Sequence, residues 1–266
     1  MINWYDADGH LSEDMVADFR QTLLTWYDES GRTHLPWRID KEPYHIWVSE
    51  IMLQQTQVET VIPYYERFLA ELPRVQDLAE ADEEVLLKLW SGLGYYSRIR
   101  NMQKAAQQVM VDFDGQFPTT SQDLQTLAGI GPYTAAAIAS ISFNEVVPAL
   151  DGNMFRVFAR LLKIEADIAQ PKLRKTFYDI ILPIVDPERP GDFNQAVMDL
   201  GTSLMSVKTE TLSDSPFARF NLSYQEGLEL NFPVKSKKVK QVQKFYAAII
   251  SEKNGNLAYI QRPKTG

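Results

Sequence analysis

The sequence predicts a mostly α-helical protein that ends in a short β-hairpin. Three observations carry this. Apolar residues recur at helical spacing through most of the chain. Turns containing Gly or Pro separate nearly all of these segments. From Gln241 the period changes: "QVQKFYAAIISEKNGNLAYIQRP" alternates and places β-branched and aromatic residues around Asn254-Gly255, a strong short hairpin signal.

Taken in order, Ser12 opens an amphipathic segment that runs to about Tyr27. Pro43 suits the first turn of the next helix, which Pro63 is expected to kink or restart. Further helices are expected over 82–91, 97–113, 121–128, 132–141, 152–162, 172–184 and 192–205. No internal repeat or low-complexity tract interrupts them, and a domain boundary is expected near 229–240.

With 266 residues, 45% of them hydrophobic, the chain is long enough for one large domain or two small ones. Its apolar runs fall short of the ~20 residues of a membrane helix, and "MINWYDADGH" lacks a basic patch followed by an apolar core, so the expectation is a cytoplasmic protein with no membrane partner. Cysteine is absent, which excludes disulfides, thiolate nucleophiles and cysteine-held metals. His10, His34 and His45 are too few for a histidine-rich metal site. The net charge of −8 argues against nonspecific affinity for nucleic acid. Charge is uneven, however: 97–104, 171–177 and 234–240 are locally basic, and each of these runs also reads as a solvated helix face or linker.

"WVSEIMLQQTQV" (47–58) is apolar on nearly every side of a helix, yet it carries Glu50. At ~100° per residue, Glu50 falls among Ile46, Leu53, Gln57 and Val61, with no clearly wet face. An unpaired buried carboxylate is costly and takes a proton instead, which is how a general acid is made. "LAGIGPYTAAAIASI" (127–141) reads as helix, tight turn, helix. Gly129 suits a left-handed helix end, Gly131 removes a side chain where a ligand backbone could approach, and Pro132 starts the second helix. The free N–H groups so exposed can hold a phosphate without lysine, although a simple helix-helix corner would look the same. In "VPALDGNMFRVFARL" (147–161), Asp151 reads as an N-cap. Paired with a protonated Glu50, it would also complete two carboxyls driven to different protonation states.

Together, "LPWR" (35–38), "PYHIWVSEIMLQQTQVETVIPYYERF" (43–68), "LWSGLGYYSRIRN" (89–101), "LAGIGPYTAAAIAS" (127–140), "VPALDGNMFRV" (147–157) and "FNQAVMDLG" (193–201) closely resemble the adenine DNA glycosylase (MutY) family of helix-hairpin-helix glycosylases, over about residues 12–240. The resemblance implies two helical subdomains with a DNA cleft between them. Residues 1–36 and 143–228 would pack together, 37–142 would form the other half, 229–240 would be a linker, and 241–266 would begin a truncated Nudix-like domain. It implies a monofunctional enzyme, working with the chromosome of a bacterium, that removes adenine mispaired with 8-oxoguanine or G in double-stranded DNA after flipping the base; oligomeric state is not legible in the sequence, and a monomer is the default expectation.

Carried over by position, Glu50 would protonate adenine N7 and later activate water, Asp151 would stabilise the oxocarbenium-like sugar, and Tyr133 would line the sugar side. Leu35, Trp37, Arg38 and Gln195 match adenine-pocket positions; Gln55 and Tyr95 match residues that wedge into the vacated stack, with Tyr96 an alternative wedge or a core residue. Gly129, Gly131 and Thr134 belong to the DNA-binding hairpin. The family's [4Fe-4S] cluster sits on Cys-x6-Cys-x2-Cys-x5-Cys. Here those positions are Met205, Leu212, Ser215 and Asn221, which implies a cluster-free member whose loop is secured by packing through Leu212, Phe217 and Phe220. Two alternatives stand beside this reading. One is an endonuclease III-like glycosylase/lyase, which needs a lysine where this chain has Tyr133; the other is a non-catalytic helix-hairpin-helix DNA-binding module.

Overall fold

The computed structural model describes residues 4–6, 8–170, 172–208 and 212–236, and the backbone of 252–253 and 256–257. Twelve α-helices run through the described residues: α1 Glu13–Ser30, α2 Pro43–Met52, α3 Val58–Glu71, α4 Val75–Glu80, α5 Glu83–Leu89, α6 Ser97–Asp112, α7 Ser121–Leu124, α8 Pro132–Phe143, α9 Gly152–Leu161, α10 Leu173–Ile181, α11 Pro190–Thr202 and α12 Leu222–Gln225. No helix among them is long and apolar enough to cross a membrane. Separately, a compact unit over residues 236–266 contains the hairpin. There β1 (Glu252–Lys253) pairs antiparallel with β2 (Asn256–Leu257), while the turn at Asn254-Gly255 and most of the segment expected to begin a Nudix-like domain lie outside the described residues. Pro171 and residues 237–240, parts of two of the basic runs, also lie outside them.

Residues 1–235 build two cores. One draws on Leu35 to Ala149 and is centred on Trp47, Phe68 and Trp90. The other is assembled from Trp4–Tyr27 and Leu150–Phe232, so the chain starts in one half, crosses to the second and returns. Phe19 is the hub of the returning half, edge-on to Trp4, Phe158, Phe193, Phe217 and Phe220 at centroid separations of 5.3–6.4 Å. The halves meet where α11 crosses α8. A Cβ on Gly191 would lie 2.6 Å from the Ile141 Cα, so only glycine allows that approach. Asn194, fully buried on α11, accepts from Ala149 N (3.0 Å) and donates to Val147 O and Ser140 Oγ (2.9 Å each), which fixes the segment leading to Asp151.

Several boundaries differ from the sequence expectation. The helix bearing Glu50 stops at Met52, so Leu53, Gln57 and Val61 do not continue its face; Gln55 stands in the turn at φ +61°. Pro63 neither kinks nor restarts that helix. The restart comes earlier, at Val58, and Pro63 is absorbed inside α3. The helix expected from Asp192 begins two residues sooner, with Pro190 in its first turn, where a missing N–H costs nothing. The segment expected over 172–184 closes as a 3₁₀ turn at Leu182–Ile184, and 121–128 is helical only to Leu124. The short α4 was not anticipated from the sequence; its cap is local, with Asp77 accepting from Arg74 N at 2.9 Å.

Candidate active site

Four elements converge on one cavity of about 300 Å³. Helix α2 supplies Glu50, the first turn of α8 supplies Tyr133, the N-cap of α9 supplies Asp151, and α11 supplies Gln195. Leu35, Trp37 and Arg38, from the 3₁₀ turn that precedes α2, close the wall, with Met198 and Asn153 beside them. Seven residues singled out from the sequence thus line a single small space: Leu35, Trp37, Arg38, Glu50, Tyr133, Asp151 and Gln195. Trp37 is braced edge-on by Tyr65 at 5.4 Å.

Glu50 is buried because α2 is buried on every side, from Ile46 through Met52. Burial pushes its carboxyl up to about 7. The Tyr133 hydroxyl pulls it down by hydrogen bonding, the charge of Asp151 adds to the rise, and Arg38 opposes it. Tyr133 itself is held well above the ordinary phenol value, first by burial and then by the charges of Glu50 and Asp151, so it stays protonated; its hydroxyl also lies 3.5 Å from Met198 Sδ. Asp151 is the N-cap of α9. It accepts from Met154 N (2.7 Å) and from Asn153 Nδ2 (2.7 Å), which fixes where its carboxyl faces.

Arg38 lines the cavity but is not free to read a ligand with its whole fork. Its two terminal nitrogens donate to both oxygens of Asp199, at 2.6 and 3.1 Å. Arg32 grips the same carboxyl through its backbone N–H (2.9 Å), its Nε (2.8 Å) and its Nη2. Burial pushes Asp199 up, but the two arginines override it and hold the carboxyl below the usual range. Sequence reasoning missed Asp199, Arg32 and Asn153. Asp199 stood in the quoted "FNQAVMDLG", four residues after Gln195 and so on the same helix face, and an acid on the buried face of an apolar helix was the available signal.

The remaining singled-out residues lie outside the cavity lining. Gln55 and Tyr95 are exposed, and both stand at positive φ, +61° and +47°. Gly129 takes the left-handed conformation, φ +78°, but α7 already ends at Leu124 with Gln125 as its cap, so this glycine shapes the turn between the helices rather than ending the first; Gly131 caps α8 with nothing within 4 Å of where a Cβ would point. Thr134 is only 2% exposed, so what this position can offer is the backbone N–H of the first turn of α8.

The positions that match a cluster motif do not fit iron. Met205, Leu212 and Asn221 are buried among the apolar groups of the returning half, Asn221 Oδ1 already accepts from Tyr224 N (3.0 Å) and Ser223 Oγ (2.8 Å), and Ser215 completes a set without a thiolate. Arginines secure this loop instead. Arg160, 2% exposed, donates to Phe232 O (3.1 Å), Met205 O (3.0 Å) and Ser206 O (2.8 Å), and Arg156 donates to Met205 O (3.0 Å) and Gly201 O (2.6 Å).

Comparison with known proteins follows the same lines. Residues 48–182 match the family described as HhH-GPD superfamily base excision DNA repair protein. The chain is 44% identical over 227 residues to an adenine DNA glycosylase of Mus musculus, a match that covers 81% of this chain and 44% of that protein. It is 38% identical over 239 residues to an adenine DNA glycosylase of Buchnera aphidicola subsp. Acyrthosiphon pisum, covering 90% of this chain and 68% of that one. The chain spans less than half the length of the mammalian relatives it matches. Among solved structures, a thermostable thymine-DNA glycosylase superposes with a TM-score of 0.73 at 22% identity, over 80% of this chain and 98% of that one. An endonuclease III in complex with DNA gives 0.65 at 17%, covering 80% and 97%. At such identities these two speak to the fold alone.

Proposed function

We propose, from the premise that this chain belongs to the adenine DNA glycosylase family of the HhH-GPD superfamily, that it hydrolyses the N-glycosidic bond of adenine mispaired with 8-oxoguanine or G in duplex DNA. The observation that carries this is the joining of Glu50, Tyr133 and Asp151 on a cavity of about 300 Å³, the small end of ligand pockets, with Glu50 raised to about 7.

In this reading the flipped adenine enters between Trp37 and Gln195. The protonated Glu50 gives its proton to N7, the C1′–N9 bond breaks with its electron pair leaving on the base, and the positive sugar forms beside Asp151. Glu50, now a carboxylate, takes a proton from water as the oxygen bonds to C1′, which restores the acid. Tyr133, kept as a phenol, closes the sugar side. The cations on the cavity are Arg32 and Arg38; no lysine lines it among the described residues, so no amine is placed to form a Schiff base and the hydrolase reading is favoured over the lyase. The backbone N–H groups of the hairpin at Gly131 hold the DNA backbone, and the chain works as a monomer with the chromosome.

The test is single-turnover incubation with A:8-oxoguanine, A:G and A:T duplexes. Free adenine should appear from the first two, and the strand should break only after alkali. Strand breaks without alkali would mean a lyase, and no free adenine would mean a binding module.

The same reading has the loop after α11 held by packing and by Arg156 and Arg160 rather than by a cluster. Purified protein should be colourless and free of stoichiometric iron, and a chelator should leave its melting temperature unchanged. About four irons per chain, the content of one [4Fe-4S] cluster, would overturn this.

A further inference from the structure

Gln55 and Tyr95, both exposed and at positive φ, sit in separate turns, one after α2 and one before α6, yet a single side chain holds both turns. Arg98 Nη1 donates to the carbonyls of Ile51 (2.7 Å), Met52 (3.4 Å) and Gln54 (2.8 Å). Its Nη2 donates to Leu93 O (2.9 Å) and Gly94 O (3.3 Å). Each hydrogen bond of the guanidinium goes to a main-chain carbonyl. Ile51 and Met52 end α2, where carbonyls lack intrahelical partners and a cation is favoured. The group also lies 5.3 Å from the Trp90 ring and 5.8 Å from the Tyr95 ring, and the Trp90 indole donates to the same Gly94 carbonyl at 3.1 Å.

A tyrosine or glutamine at positive φ is strained and persists only where its surroundings hold it. Here the holding group is shared, and it grips the carbonyl of Ile51, the residue next to Glu50. We propose that Arg98 is a positioning residue that fastens the turn bearing Gln55 and the turn bearing Tyr95 into one rigid two-sided wedge, in fixed register with the helix that carries Glu50. This rests on the reading of Gln55 and Tyr95 as residues that enter the base stack. Lysine, a point charge without the planar fork, cannot span both turns.

The probe is a duplex with 2-aminopurine in place of the target adenine, whose fluorescence rises when it unstacks. It is read with the full chain in a Glu50→Gln background, beside single-turnover excision on A:8-oxoguanine in the parental background and thermal unfolding to verify the fold. Arg98→Lys and Arg98→Gln are compared with the Gln55→Ala/Tyr95→Ala pair. Both Arg98 variants should suppress the fluorescence rise and slow excision by about 100-fold, the scale of a 1 Å misplacement. Added to the Gln55→Ala/Tyr95→Ala pair, either should cost nothing further, because the clamp acts through those two residues. Losses that multiply in the pair background, or an undiminished rise in the folded Arg98 variants, would overturn the proposal. An undiminished rise in the Gln55→Ala/Tyr95→Ala pair would overturn the wedge reading and the clamp with it, while leaving adenine release to be judged by the duplex assay above.

Discussion

Glu50→Gln is expected to lose about 10²–10⁴-fold in adenine excision, the usual worth of a positioned proton donor, and at the same time to make the protein more stable. The first effect follows from chemistry: an amide neither protonates N7 nor takes a proton from water. The second follows from burial. Between the ordinary value of 4.5 and about 7, the folded chain holds a proton on Glu50 that the unfolded chain has released. Stability therefore falls as pH rises through that window, and above it the folded state carries a buried charge. Gln removes the penalty, which for a shift of this size is on the order of 3 kcal/mol. The variant should melt higher than the parent above neutral pH and show no such gain below the ordinary glutamate range. Thermal unfolding at the two extremes checks this, and an equal shift at both would show that Glu50 is not the titrating group.

Asp199→Asn should have the opposite effect on stability. The carboxyl is 4% exposed and neutralises two guanidiniums, of which Arg38 is 7% exposed, so an amide leaves a buried cation without its counter-charge. Breaking a buried pair on one side costs about 3–5 kcal/mol. Because the two arginines hold Asp199 below its ordinary value, the pair is fully formed at neutral pH and the loss should be full there. A second consequence separates this from plain destabilisation. Arg38 already pulls the Glu50 carboxyl downward, and freed of Asp199 it should pull harder. In the folded variant the alkaline loss of excision should therefore begin at lower pH than in the parent. An unchanged pH profile would confine Asp199 to a structural role.

The parts legible in the sequence were those written locally. An acid inside an apolar run announced Glu50, a Gly-x-Gly-Pro turn announced the hairpin, and Asp151 before an apolar helix announced its cap. What stayed hidden was set by distant partners. Nothing in "WVSEIMLQQTQV" marks a helix end after Met52, because the end is held by Arg98, 46 residues further along the chain. Asp199 offered only its place on the apolar face of its helix as a signal; its partners, Arg32 and Arg38, lie more than 160 residues away in the chain. Pro63 misled because proline constrains only its own turn, and the chain had already turned five residues earlier, at Val58. That the Thr134 side chain faces inward was not legible either, because a hairpin motif does not say which of its side chains are buried.

If burial keeps Glu50 an acid near neutrality, the pH dependence of kcat/KM for adenine release from an A:8-oxoguanine duplex must report it, since that ratio reflects the free enzyme. Activity should fall on the alkaline side with a midpoint at about 7, where the Glu50 carboxyl loses its proton. A profile flat across neutrality, or one that falls only below the ordinary carboxylate range, would mean that Glu50 is not the buried acid of the reaction.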